Sequence, residues 1–179
     1  LFKVQESKNN FIKDNKYLEA KSLLEEVCER CSISKFELVK EIKGEELSHT
    51  ICHHPLSKIG FDYDVPLLKA AFVEDSEGTG FVHIAPCYGE DDYYLALDNN
   101  IVIKDIVKDD GCYRDNTPVF AGIHVFKAHL SVIEELEKQN KLLGSREYRH
   151  SYPHSWRSKK PIIYRTTPQW FISMKTNNL

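Results

Sequence analysis

Two stretches of the chain carry hydrophobic residues at helical spacing, with charged residues between them. These stretches are residues 15–30 and residues 125–140, and Gly144 follows the second. Spacings of three and four residues place an apolar stripe on one side of a helix, which packs against the rest of the domain. The predicted stripes contain Leu18, Leu23, Leu24 and Val27 in the first helix and Leu130, Val132, Ile133 and Leu136 in the second.

Alternating or continuous apolar runs predict strands in other parts of the chain. A hairpin is expected from residues 1–5 and 11–13 around a turn-prone segment, and further strands over residues 36–42, 65–73, 80–85, 101–107 and 112–120. The strands and helices alternate without a regular βαβ period. This order predicts an α+β domain with a bent mixed sheet or barrel and flanking helices.

The composition is that of one ordinary globular domain: 179 residues, 41% hydrophobic, with a formal net charge of −3. This charge excludes the broad cationic surface of a non-specific nucleic-acid binder but allows a local basic strip. No apolar run approaches the roughly 20 residues of a membrane span, and a signal-peptide layout is absent, so we expect a cytoplasmic protein without a membrane partner. Because Leu1 stands within a strand-like segment, we also expect the chain to be a piece of a larger protein.

The five cysteines are odd in number and irregular in spacing, which favours reduced thiols. Cys28 and Cys31 form a Cys-x-x-Cys pair, and the adjacent His53 and His54 follow about 22 residues later. A zinc site usually separates its second pair of ligands by several residues. We therefore expect no bound metal.

The most informative stretch is residues 78–93, which contains a Gly-Thr-Gly loop, His83 and the acidic start of a third predicted helix over residues 89–100. Glu90, Asp91 and Asp92 supply negative charge where the helix dipole favours it. A histidine and a carboxylate in one cleft can bind a cation and hold or activate a water molecule. The alternative is structural, with Asp91 as a helix cap and His83 as a core residue.

From Tyr148 onward, aromatic and cationic residues alternate along the chain. Such a composition suits the stacking of nucleotide bases and the pairing of phosphates. The alternative is a pair of strands whose aromatic residues pack on a neighbouring domain.

Two blocks of sequence resemble the isoleucyl-tRNA synthetase family. The first is Gly-Thr-Gly-x-Val-His-x-Ala-Pro-x-x-Gly-Glu-Asp-Asp-Tyr at residues 78–93, and the second comprises residues 150–165 and Thr-Pro-Gln-Trp-Phe at 167–171. The resemblance covers nearly the whole chain and implies the inserted editing domain over residues 1–153 and a return segment towards the catalytic core over residues 154–179. The Tyr88-Gly89 pair, without a second histidine, resembles the eukaryote-like branch of the family.

The resemblance implies hydrolysis of mischarged aminoacyl-tRNA, chiefly valine on the isoleucine tRNA, at the ester to the 3′-terminal adenosine. It implies that Asp92 holds the α-ammonium group of the substrate and that His83 lines the pocket beside the adenosine. Gly78, Thr79 and Gly80 correspond to the loop that approaches the substrate. The cations expected to contact tRNA are Arg149, Arg157, Lys159 and Lys160, and the expected partners are the isoleucine tRNA and the rest of the parent synthetase.

Two departures from the family pattern bear on the pocket and on a possible metal ligand. The threonine-rich strand that completes the editing pocket is not found in this chain, and Ser155 stands where the family has a cysteine. The signatures that handle ATP are also missing, so we expect no cofactor and no amino-acid activation. Two alternatives therefore stay open: a passive module that binds the tRNA acceptor end, and a free-standing hydrolase with Cys87 as its nucleophile.

Overall fold

The structure is a computed structural model that describes residues 1–9, 12–76 and 78–174. The chain divides into two compact units. The first unit combines Leu1–His83 with Ile106–His150, and the second combines Ile84–Asp105 with the segment from Ser151 onward. The expected boundary between residues 153 and 154 stays a prediction.

The first unit contains a three-stranded antiparallel sheet in the order β2-β1-β3. Its strands are β1 (Phe2–Ser7), β2 (Lys16–Tyr17) and β3 (Ile33–Leu38). Phe2 and Val4, two positions apart on β1, are buried together with Cys28 and form the core of this sheet, because alternate side chains of a strand face the same side. The predicted hairpin is therefore present, but its second strand lies later than residues 11–13. Ile12 is buried within a turn, and Phe11 lies outside the described residues.

The first predicted helix is shorter than its apolar pattern suggests. A 3₁₀ turn over Lys21–Leu23 leads into α1 (Leu24–Arg30), whose Val27 and Cys28 are buried. Lys16 and Tyr17 pair with β1 instead of continuing the helix. Strand pairing therefore overrides the helical periodicity over the first part of residues 15–30.

A second, two-stranded antiparallel sheet is formed by β4 (Ile51–His53) and β5 (Asp64–Pro66). Only the start of the predicted strand over residues 65–73 is therefore a strand. Short 3₁₀ turns precede the two strands, over Gly44–Leu47 and Ser57–Ile59 respectively.

α2 (Glu90–Asp98) confirms the helix predicted over residues 89–100, and it belongs to the second unit. The segments at 80–85, 101–107 and 112–120, which were predicted to be strands, contain at most isolated bridges. Their β-prone residues find no continuous neighbouring strand among the described residues, and a strand needs such a partner for its backbone hydrogen bonds.

The helix predicted near residues 125–140 is confirmed as a 3₁₀ turn over Val125–Lys127 followed by α3 (Ala128–Lys138). The predicted buried stripe is wrong at one position, since Leu130 is 60% exposed while Ala128 is buried. The other three members of the stripe, Val132, Ile133 and Leu136, are half-buried. Small antiparallel sheets and a few helices thus make up an α+β architecture, and no sheet within the described ranges closes into a barrel.

No helix of the described residues has the length and apolar character that a membrane crossing requires.

Candidate functional site

The Gly-Thr-Gly loop is tied to the segment that precedes α1. The backbone N–H of Ala20 donates a hydrogen bond of 2.8 Å to the carbonyl of Thr79. Gly78 and Gly80 both have positive φ, at 66° and 75°, which glycine adopts without steric cost. At Gly80 space is also limiting, because a Cβ there would lie 2.5 Å from the Cβ of Ala20. The loop therefore does permit a close approach, and the group that approaches Gly80 is Ala20 of the same chain.

His83 lies at the surface in the first unit, so the alternative interpretation of His83 as a core residue is wrong. Its charge acts on His54, a half-buried ring stacked on Phe61 with 5.1 Å between ring centroids. Burial lowers the pKa of His54, and the positive charge of His83 lowers it further. Nδ1 of His54 accepts the backbone N–H of Leu56 at 3.1 Å, which holds the ring in place.

Asp92 stands in the first turn of α2, in the second unit, and is half-buried. Its Oδ2 atom accepts a hydrogen bond of 2.9 Å from the backbone N–H of Ala85. Asp91 is exposed, and neither it nor the first-turn Glu90 caps the helix, whose N-cap is Gly89 without a side-chain hydrogen bond. Asp92, rather than Asp91, is therefore the acidic residue with a defined position.

The segment after Asp92 and the return segment meet within the second unit. Arg165 forms a half-buried ion pair of 3.0 Å with Asp105, and the Tyr88 hydroxyl donates to the same aspartate at 3.2 Å. The backbone N–H of Thr166 donates to the carbonyl of Cys87 at 2.8 Å. The role of Asp105 could not be found from the sequence, because its partner Arg165 lies 60 residues away and no local pattern marks the pair.

Cys87 is a poor candidate for a nucleophile. It is only 4% exposed, and burial raises the pKa of its thiol, which the Asp105 carboxylate raises further. The reactive form of cysteine is the thiolate, and an accessible thiol of low pKa is what nucleophilic cysteines share. The burial and raised pKa of Cys87 therefore disfavour the alternative of a hydrolase that uses Cys87 as its nucleophile.

The four cations expected to contact tRNA are exposed and take part in no ion pair with the residues that the structure describes. The guanidinium of Arg157 lies 5.1 Å from the centroid of the Trp156 ring, and Trp156 is 76% exposed. Lys159 and Lys160 belong to the same turn, in which the backbone N–H of Lys159 donates to the carbonyl of Ser155 at 2.9 Å. Arg149 belongs to the first unit and the other three cations to the second.

Cys28, half of the Cys-x-x-Cys pair, packs in the core beside Phe2 and Val4. Burial raises the pKa of its thiol to about 11, with further contributions from Glu19 and Cys31. Within residues 1–9, 12–76 and 78–174, no three His, Cys, Asp or Glu side chains are grouped so that they could hold a metal ion. The expectation that the chain binds no zinc stays a prediction.

The expected site residues fall into two sets. The Gly-Thr-Gly loop and His83 belong to the first unit, and Asp92 belongs to the second. Within the second unit, Asp92 accepts the hydrogen bond from the backbone N–H of Ala85.

No protein-family model matches the chain. Curated relatives do match it, and they are named isoleucine–tRNA ligase. That of Pelagibacter ubique (strain HTCC1062) is 48% identical over 167 residues, which are 93% of this chain and 18% of the relative. That of Francisella tularensis subsp. novicida is 39% identical over 168 residues, and that of Gluconobacter oxydans is 39% identical over 187 aligned residues.

The match covers 94% and 97% of this chain for these two relatives, and 18% and 20% of their own length. The chain thus spans about a fifth of the length of the curated relatives it matches. Identity of 39–48% over more than nine tenths of the chain is far above chance similarity. The chain is a homologue of one segment of isoleucine–tRNA ligases and belongs to that family as such a segment.

Proposed function

We propose that this chain carries an editing site of an isoleucine–tRNA ligase. The site hydrolyses the ester between a wrongly attached amino acid, chiefly valine, and the 3′-terminal adenosine of the isoleucine tRNA. The α+β architecture is then that of the editing domain, and the partners are the tRNA acceptor end and the rest of the synthetase in the cytoplasm. The family membership and the defined position of Asp92 support this proposal.

The single observation that carries the proposal is the geometry of Asp92. One carboxylate oxygen is fixed by the N–H of Ala85, and the other has no hydrogen-bond donor among the described residues. A half-buried carboxylate with one oxygen still available is a suitable partner for an ammonium group, because charge-assisted hydrogen bonds are short and strong. The α-amino group of an aminoacyl ester is such a group.

The chemistry requires one water molecule and no cofactor. Water adds to the ester carbonyl, the bond to the 3′ oxygen of the adenosine breaks, and free valine and uncharged tRNA result. An ammonium group held by Asp92 places positive charge beside the carbonyl, where it stabilises the oxyanion that forms during the attack. Holding the substrate also fixes the ester relative to the attacking water.

Selectivity follows from size. An apolar pocket that must recognise isoleucine discriminates against the smaller valine by only about 1–3 kcal/mol per methylene. A second site is therefore needed that accepts valine and excludes the larger isoleucine. In this proposal the editing pocket admits valine and excludes isoleucine, while Asp92 anchors the ammonium group of either. The roles of His83 and of the loop over residues 78–80 stay those that the resemblance implies.

The test is deacylation of valyl-tRNA by the purified chain and by two variants. Asp92→Asn keeps the shape of the side chain and an oxygen for the Ala85 N–H, so we expect it to fold but to lose about 100-fold in rate. Asp91→Asn removes the same charge from the exposed neighbouring position and is expected to retain the rate. Equal rates for the two variants would remove Asp92 from the proposal.

A second candidate is a module that binds the tRNA acceptor end without cleaving it. It is favoured by exposed aromatic rings next to cations, as in the pairs Arg157 with Trp156 and Arg146 with Tyr148. Bases stack on such rings, while the cations attract phosphates. Binding of tRNA with no deacylation by the unsubstituted chain would select this candidate over the hydrolase.

A further inference from the structure

Gly89 is the residue immediately before α2, three positions ahead of Asp92. Its backbone is extended, with φ of −140° and ψ of 141°, which any residue can adopt. Backbone freedom therefore does not explain a glycine at this position. A polar N-cap side chain would be the usual choice, since Ser, Thr, Asp and Asn satisfy a free N–H of the first helical turn.

The space beside Gly89 is occupied by Asp92. A Cβ added to Gly89 would lie 2.7 Å from Oδ2, 3.0 Å from Cγ and 3.4 Å from Cβ of Asp92. Non-bonded carbon and oxygen atoms do not approach to 2.7 Å, so one of the two groups would have to move. The carboxylate has little freedom to do so, because its Oδ2 atom is the acceptor of the 2.9 Å bond from Ala85.

We propose that Gly89 is a positioning residue for Asp92. Its bare Cα leaves the space in which the carboxylate turns back over the helix start and reaches the N–H of Ala85. That bond fixes one oxygen and leaves the other for the substrate ammonium group, so this inference rests on the proposed editing function. Any side chain at residue 89 pushes the carboxylate from this position while leaving its charge intact.

The first test is structural and does not depend on substrate. Gly89→Ala should change the amide chemical shift and accelerate the hydrogen exchange of Ala85 in NMR spectra, and Asp92→Ala should do the same because it removes the acceptor. Gly44 is the matched control: it also stands at the start of a helical turn, and a Cβ there has nothing within 4 Å. Gly44→Ala should leave the Ala85 amide unchanged. An unchanged Ala85 amide in Gly89→Ala would overturn the inference.

A double-mutant cycle keeps the inference testable where Gly89→Ala unfolds the chain. The clash at 2.7 Å and 3.0 Å disappears when Asp92 is alanine, because only the Cβ of that residue remains. Gly89→Ala should therefore lower the Tm by several degrees in the Asp92 chain and by much less in the Asp92→Ala chain. Equal Tm shifts in both backgrounds would show that Gly89 acts independently of Asp92.

The second test asks whether displacement of the Asp92 carboxylate weakens its interaction with the ammonium group of the substrate. We expect Gly89→Ala to lower kcat/KM for valyl-tRNA by about 10- to 100-fold. Gly89→Ala should cleave an analogue with an α-hydroxyl group in place of the ammonium at the same rate as the unsubstituted chain cleaves it. An equal loss on both esters would mean a general structural defect and would overturn the positioning role.

The editing function and the positioning role of Gly89 can be refuted independently of each other. If the unsubstituted chain does not cleave valyl-tRNA, the proposed function is wrong for this chain, while the Ala85 amide and the cycle still decide whether Gly89 positions Asp92. If the chain cleaves valyl-tRNA and the Ala85 amide does not respond to Gly89→Ala, the editing function stands and the role of Gly89 does not.

Discussion

The fold clearly alters the ionisation of Glu19. It lines a cavity of about 260 Å³ in the first unit, among side chains that include Phe2, Val27 and Ile33. Its Oε1 atom is buried and has no hydrogen-bond partner within the described part of the chain. Burial raises the pKa of this carboxyl from 4.5 to about 7, while the Leu1 ammonium group acts in the opposite direction.

This raised pKa predicts that Glu19 makes the fold less stable as the pH rises. The folded state holds the proton more tightly than the unfolded chain, so the contribution of Glu19 is full below about pH 4.5 and is lost as the pH rises to about 7. With allowance for solvent screening of this partly exposed group, Glu19→Gln should add about 1 kcal/mol of stability at pH 8 and almost none at pH 5. Urea unfolding at the two pH values measures the difference.

Glu25, exposed on α1, provides the control for this measurement. Glu25→Gln should show the same pH dependence as the unsubstituted chain. A gain from Glu19→Gln that is equal at both pH values would contradict the raised pKa.

Among individual residues, part of the candidate site could be predicted from the sequence. Resemblance singled out Asp92 from its acidic neighbours, and the structure gives that residue alone a backbone donor at 2.9 Å. The pairing of Gly80 with Ala20 and of Asp105 with Arg165 could not be predicted, since each joins residues 60 positions apart. Contacts of that range depend on the tertiary fold, which spacing along the chain does not encode.

Among the secondary-structure elements, the helices were easier to predict than the strands. α2 and α3 follow from acidic residues in a first turn and from apolar periodicity, both of which are local. Strands at 80–85 and 112–120 were wrong because β-prone residues form a strand only where another strand pairs with them. The end of α3 also depends on local chemistry, because Asn140, with φ of 55°, occupies the left-handed position after the helix that glycine most often fills.

α3 is ended by two hydrogen bonds from backbone N–H groups beyond the helix to carbonyls of its last turn. This geometry predicts how substitutions of Asn140 affect stability. The N–H of Asn140 donates to the carbonyl of Glu137 at 2.9 Å, and the N–H of Lys141 donates to that of Leu136 at 2.8 Å. Asn140→Val should destabilise the chain by about 1–2 kcal/mol, because a β-branched residue is strained at positive φ. Asn140→Gly should remain within about 0.5 kcal/mol of the unsubstituted chain.

Thermal unfolding measures these differences. Asn116→Val serves as the control, since Asn116 is exposed in a turn and is not among the described residues with positive φ. Equal destabilisation by valine at residues 116 and 140 would contradict the role of Asn140 in ending the helix.

Over the whole molecule, charge is the property that most restricts binding. A formal net charge of −3 leaves no general attraction for tRNA, so contacts with phosphates have to come from local cations. Arg157, Lys159 and Lys160 lie within one turn of the second unit and pair with no carboxylate among the described residues.

This distribution predicts salt-dependent binding of tRNA through that turn. Replacing Arg157, Lys159 and Lys160 with Gln should weaken binding at low salt and reduce the slope of log K against log salt by about 2. The exposed residues Lys13, Lys58 and Lys141 provide a control with the same change in charge. Affinity that stays constant between low and physiological salt, measured by fluorescence anisotropy, would exclude this turn as the contact.

The two units are assembled from alternating segments, and the chain crosses between them after residues 83, 105 and 150. During synthesis on the ribosome, the first unit lacks its second segment until roughly 70 residues beyond His83 have been made. At 5–20 residues per second this takes about 3–14 s. At the start of that interval Phe2, Val4, Cys28 and the side chains packed against them have been synthesised, whereas α3 does not yet exist. The first sheet can therefore pair before the residues of α3 are synthesised.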